Sequence, residues 1–211
     1  MTDLSYKCKW DTVLMLDDWL GPNRYKCEIY FDIETTNADE QNVAFERCKV
    51  MIEQIFHHAL FINMNNPLIQ TLNKKTKQKI ITLPNEPIDV IIAAVLYHKL
   101  NSITEGRLAI EKIKLCSNQG DNIYIHFDSQ FAEDYGPLNC EYYDTVKEKP
   151  WWLRPDASVG DWFEVMTKQK ELKFHFHKSS WDKTLEWEQA KEVKLATWKP
   201  EVINGGKETK H

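Results

Sequence analysis

The residues Glu28-Ile-Tyr-Phe-Asp-Ile-Glu-Thr-Thr36 put two carboxylates two positions apart, near the end of an apolar stretch. Side chains alternate across a strand, so Cys27, Ile29, Phe31 and Ile33 form one face and Glu28, Tyr30, Asp32 and Glu34 the other. Asp32 and Glu34 so placed are half of a site for a divalent metal, and such a metal would serve hydrolysis of a phosphodiester or a nucleotide. A second constellation is imidazole: His175 and His177 flank Phe176 and share one side of a strand, and His126 on another strand would complete a three-histidine set with an open coordination position. Without such convergence the carboxylates read as a solvated strand end before a helix cap, and the histidines as the polar face of a hairpin.

The phrase Phe31-Asp-Ile-Glu-Thr-Thr36 resembles the first motif of the DEDD family of 3′→5′ exonucleases, and the resemblance implies metal-bound carboxylates cutting phosphodiesters. The later motifs find short matches in Asn139-Cys-Glu-Tyr-Tyr-Asp144 and Tyr124-Ile-His-Phe-Asp128. They stand in reversed order, and the first strand leads directly into a helix where the family continues with strands.

Other chemistries find less. The sequence has no G-x-S-x-G elbow, no phosphate-binding glycine loop and no cysteine in an electropositive context. Lys74, Lys75, Lys77 and Lys79 form a cationic run that would meet nucleic-acid phosphates, or serve as a solvated guard beside an edge strand. Trp151-Trp152-Leu-Arg154 combines the residue types that dominate protein interfaces, though the same rings would also seal an aromatic segment onto a core. The helix containing Val90 and Ile91 is apolar nearly all round and needs a second cover, from the carboxy-terminal region or from another subunit.

The elements that must position these residues are expected as follows. An aromatic lead and a Gly21-Pro22-Asn23 turn introduce a strand at about 25–35, and Asn37 or Asp39 then caps a helix over 39–60. Residues 61–76 read as loop and 80–83 as a short strand. A helix follows, with Asn85 as cap and Pro87 in its first turn. Strands at 108–115 and 123–128 make a pair, the first less regular because the apolar phase slips between Ile110 and Ile113, which a bulge or a helical segment there would explain. Residues 129–160 read as irregular and acidic. A hairpin is expected over 162–178 with its turn at 168–171, then a helical or extended segment over 180–193, and a tail from 204. This order favours an α+β fold, two helices on one face of a mixed or antiparallel sheet as in ferredoxin-like sandwiches. Residues 1–128 form the core domain, 129–203 an aromatic-rich extension packed on it, and 204–211 a flexible tail.

Composition bounds the function. The 211 residues, 42% apolar and 28% charged, suit an ordinary globular domain, and a net charge of −5 with pI near 5.8 argues against a broadly phosphate-neutralising surface. No apolar run approaches the roughly 20 residues that span a bilayer, and the amino terminus has no signal-peptide core, so no membrane role is expected. Five cysteines without C-x-x-C spacing read as reduced thiols of a cytoplasmic protein. Plentiful Asn, Ile and Lys suit an AT-rich genome such as a bacteriophage's. The expected function is non-enzymatic: a viral structural or accessory factor acting through protein contacts or self-association, without a cofactor. A metal-dependent hydrolase is the alternative and a nucleic-acid-binding module the second.

Overall fold

Tyr6, Cys8, Trp10, Thr12 and Leu14 alternate with Ser5, Lys7, Lys9, Asp11 and Val13, the period of a half-buried strand. The computed structural model, which describes residues 4–17, 19–134, 138, 141–165 and 172–182, places them in β1 (Leu4–Leu16). β1 pairs antiparallel with β2 (Trp19–Ile33), so the expected aromatic lead is itself a strand and β2 starts earlier than the composition suggests. Gly21-Pro22-Asn23 lies inside β2 and is not a turn. Pro22 stands opposite Val13, and β2 gains its second neighbour only from Tyr25 onward, so the missing proline N–H faces no ladder partner. The chain reverses instead at Asp17, whose φ of 47° is the left-handed backbone that tight hairpins need and that Asp tolerates.

Asn37 caps α1 (Ala38–Val50) by accepting from the Asp39 and Glu40 N–H groups at 3.0 and 3.4 Å. The helix continues as one π-helical stretch over Met51–Phe56 and ends there, short of residue 60. The segment expected as loop contains β3 (Leu60–Asn63) and α2 (Ile69–Lys75), before β4 (Ile80–Leu83). The second long helix, α3, spans Asp89–Thr104 and begins after Ile88, so neither Asn85 nor Pro87 lies at its first turn. β5 (Leu108–Ser117) and β6 (Ile125–Asp128) pair antiparallel, and the register of β5 against β2 shifts between Tyr30 and Phe31, so the Ile110 to Ile113 slip is a bulge and not a helical segment. Within the stretch read as irregular lie two short α-helices, α4 (Ser129–Asp134) and α5 (Glu141–Val146), and a 3-10 turn at Trp151–Leu153.

The result is α+β, with a six-stranded mixed sheet ordered β4-β3-β1-β2-β5-β6. Its two halves are covered differently. β1, β3 and β4 run parallel, and β3 and β4 are buried on both faces: Phe61, Ile81 and Leu83 join the main core, while Leu60, Ile62 and Ile80 pack with Ile69 and Leu72 of α2 and with Trp162. Parallel strands buried this way lose polar alternation. The antiparallel half, β1-β2-β5-β6, buries Trp10, Tyr25, Ile29, Ile113 and Phe127 against α1 and α3; its other face is largely open around Lys7, Lys9 and Lys26, with Cys116 buried on it and Met15 packed toward α2.

Over α3 lies the segment from Trp151 to Ala157, joined to the same core. β7 (Asp161–Val165) and β8 (Leu172–Phe176) pair antiparallel beside β4, where Thr82 N–H donates to the Val159 carbonyl at 3.4 Å. The expected turn at 168–171, all of 180–193 beyond Asp182, and the tail from 204 lie outside the described residues. Cys8, Cys27, Cys48 and Cys116 are free and buried, and no helix among the described residues is long and apolar enough to cross a membrane.

Candidate functional site

Asp32 is the penultimate residue of β2, on the open face opposite Ala109, with its Oδ1 accepting from the Ile33 N–H at 2.9 Å. Glu34 lies just past the strand, exposed, its N–H donating to the Arg107 carbonyl. Asp128 belongs to β6, two strands away and one row along the sheet, a backbone separation of roughly 12 Å at ordinary strand spacings. There its Oδ1 accepts from Phe131 N–H at the start of α4. Asp144 is exposed on α5. The structure brings Asp32 and Glu34 near each other along the chain and gathers neither Asp128 nor Asp144 to them.

The histidines divide between two sheets. His126 points to the open face of β6, at one edge of the large sheet, and β7-β8 adjoins β4 at the other, about 24 Å away across five strand spacings. His175 stacks on Trp162 at 5.4 Å and bonds to Glu164 Oε2 at 2.9 Å. His177 lines a small cavity of about 230 Å³ with Trp162, Ile80 and Asn73. Among the described residues no three His, Cys, Asp or Glu side chains converge as metal ligands. Of the cationic run, Lys74 and Lys75 end α2, Lys77 is exposed beyond it, and Lys79 Nζ donates to the Gln54 carbonyl.

Trp151, Trp152 and Arg154, the expected interface anchors, are interior residues. Trp151 Nε1 donates to the Thr82 carbonyl at 2.7 Å, and Arg154 Nη2 lies 2.7 Å from Asp161 Oδ1. Asp161 also accepts from the Tyr143 hydroxyl at 2.8 Å and the Trp151 N–H at 3.0 Å. Burial pushes the Asp161 carboxyl up, and the adjacent Arg154 guanidinium pulls it only partly back. These rings and charges lock the aromatic segment over α3, supplying the second cover that the apolar helix requires. Ile91 is likewise buried.

Val90 is different. It is half-buried and lines a groove of about 450 Å³ with Leu16, Ile88, Ile123 and Ile125, at the end of the sheet where α3 begins. Ile88 is 50% exposed and Ile123 69%. Leu16 and its partner Trp19, itself 46% exposed, extend the core-facing side of the β1-β2 hairpin beyond the helices. Here the core runs out of cover. Asp89 sits in this groove with both carboxylate oxygens on the Ser117 hydroxyl, at 2.8 and 2.9 Å. Burial pushes its carboxyl up more than the Ser117 hydrogen bonds lower it. Gly120 packs so closely that a Cβ there would lie 2.4 Å from Asp89 Oδ2.

Sequence reasoning singled out Val90 as part of a helix that needs a second cover; Val90 lines this groove, and the segment from Trp151 to Ala157 covers the helix. The available signal was the excess of Ile88 and Ile123 at element ends, where polar residues are usual. No protein-family model matches the chain, and no curated protein matches it in sequence.

Proposed function

We propose that this protein works by binding, as a non-enzymatic accessory or assembly factor that docks a partner protein at the open end of its sandwich. One observation carries the reading: Leu16, Ile88, Val90, Ile123 and Ile125, from three separate segments, meet in an exposed apolar groove beside the half-exposed Trp19. Apolar surface gathered in one patch marks a contact site, where scattered exposed residues do not. A Trp at its margin fits, because Trp is enriched among residues that dominate binding energy. The matching chemistry is an apolar anchor on the partner, an aliphatic or aromatic side chain entering between Ile88 and Ile123.

The test is a photo-crosslinking amino acid at position 123, with position 74 on α2 as control. A partner crosslinked from 123 and not from 74 is then purified and its affinity measured. Ile88→Asp and Ile123→Asp, both at exposed sites, are expected to weaken that affinity more than tenfold, since each puts a charge where an apolar contact forms, with circular dichroism unchanged. Crosslinking of two copies of this chain, with concentration-dependent sedimentation abolished by Ile123→Asp, would make the partner a second copy. Equal crosslinking at both positions and a strict monomer would overturn the reading.

A further inference from the structure

The open face of the antiparallel half-sheet carries a compact cationic grid. Lys9 stands directly opposite Lys26, and Lys26 opposite Cys116, whose thiol meets the hydroxyl of the half-exposed Tyr124. The adjacent row reads Lys7, Glu28, Lys114, His126 across four strands, and the next Ser5, Tyr30, Lys112, Asp128. Glu28 is already engaged, with Lys7 Nζ at 3.3 Å and Lys114 Nζ at 3.9 Å. Lys9 and Lys26 have no carboxylate partner among the described residues, and Lys26 donates only to the Asn122 amide oxygen at 3.1 Å.

Like charges placed directly opposite on one sheet face destabilise the pair. This pair stands in a chain of net charge −5, so the cations are concentrated rather than general. Lys7, Lys9, Lys26, Glu28 and Tyr124 line a shallow open hollow of about 640 Å³. At one side Tyr124 offers a ring, and at the other Lys114 lies 4.6 Å from the Tyr30 ring centroid. A flat cationic surface flanked by aromatic rings suits a strand whose phosphates meet lysines and whose unpaired bases stack.

We propose that this sheet face binds single-stranded nucleic acid, with Lys7, Lys9, Lys26 and Lys114 on the phosphates and Tyr124 stacked on a base. The site faces away from α1 and α3, whose layer forms one wall of the docking groove, and the proposal is independent of that groove. Four phosphate contacts to a single strand give a slope of about −2.8 in log affinity against log salt, so raising salt from about 50 to about 200 mM weakens binding about fiftyfold.

The experiment is fluorescence anisotropy of the full chain with a fluorescein-labelled single-stranded DNA of about 15 nucleotides, a length within the range such surfaces cover. Lys9→Gln with Lys26→Gln, both on the solvent face, is expected to halve the slope, so that the same salt change weakens binding only about sevenfold. Tyr124→Ala weakens binding about tenfold at either salt. Lys74→Gln with Lys75→Gln, at the end of α2, leaves it unchanged. The proposal is overturned by no binding at the lower salt, by an unchanged slope in the Lys9/Lys26 variant, or by equal affinity for duplex DNA. Equal competition by poly-glutamate would assign the face to an acidic protein and also overturn it.

Discussion

Lys99 places its Nζ 2.9 Å from the carbonyl oxygen of Trp151 and 5.6 Å from the centroid of the same residue's indole ring. The same ammonium donates to the carbonyls of Arg154 and Asp156 at 2.9 and 2.7 Å, and its side chain is fully buried. One buried charged residue of α3 thus organises the turn that covers that helix. In its charged form its three donors match three carbonyls, two of them buried and one part-buried.

Replacement of Lys99 by Met keeps the length of the side chain and removes those donors. An unsatisfied buried acceptor costs about 1–3 kcal/mol, so Lys99→Met is expected to destabilise the fold by about 3 kcal/mol or more in urea unfolding. A loss below about 1 kcal/mol would mean that water or a rearranged turn serves the carbonyls.

The same burial gives stability a pH dependence. Desolvation drives Lys99 from the ordinary 10.5 down to about 7, so between those values the unfolded chain holds a proton that the folded chain has released. Stability therefore rises with pH through this window, by at most about 1.4 kcal/mol per unit. Burial has the opposite effect on thiols: Cys48 is pushed from 9.0 to about 12, and Cys27 also upward, so above pH 9 the folded state keeps protons that the unfolded state loses. Two thiols then outweigh one amine. The urea midpoint is expected to peak near pH 9, and Lys99→Met to abolish the rise below it while keeping the fall above it. A midpoint flat from pH 7 to 9 would refute the Lys99 assignment.

Arg154 and Asp161 form a buried ion pair with unequal dependents. Asp161 serves Arg154, the Tyr143 hydroxyl and the Trp151 N–H, whereas Arg154 Nε and Nη1 have no hydrogen-bond partner among the described residues. Asp161→Ala strands a buried guanidinium and two further donors, so a loss of about 3–5 kcal/mol is expected. Arg154→Met leaves the carboxylate with two donors and should cost about half as much. Thermal unfolding of both variants checks the order, and a larger loss in Arg154→Met would show that the charge pair outweighs the network.

Why some of this was legible in the sequence and some was not has physical causes. The β5 irregularity was readable because one face is buried, so the slip from Ile110 to Ile113 had to appear as a break in alternation. The cap of α1 was readable to within Asn37 or Asp39 because capping is local. β3 was not: at four residues with both faces occupied, Leu60–Asn63 shows no alternation to detect. β1 and the start of β2 were hidden by Gly21-Pro22, which signals a turn unless one knows that β5 stops short of Pro22. Trp151 and Trp152 carry the same residue types whether they anchor a partner or a core. The groove and the lysine grid are set by register and by which segments meet, information carried by the pairing of Lys9 with Lys26 and the approach of Ile123 to Ile88, and by no local motif.

Gly120 tests whether the groove's floor is built as described. An added methyl would collide with Asp89 Oδ2 and push the carboxylate off Ser117, whose hydroxyl also accepts from the Gly120 N–H at 3.1 Å. Gly120→Ala should therefore cost about 1–2 kcal/mol, the scale of overpacking with a lost hydrogen bond. The cost has a single source only if Asp89 is the obstacle. In an Asp89→Ala background the obstacle is gone, and Gly120→Ala should become neutral there, giving a coupling energy of about 1 kcal/mol in a double-mutant cycle. If the two substitutions instead add, the cost arises from the backbone of the turn, and the close packing of Gly120 on Asp89 does not shape the groove.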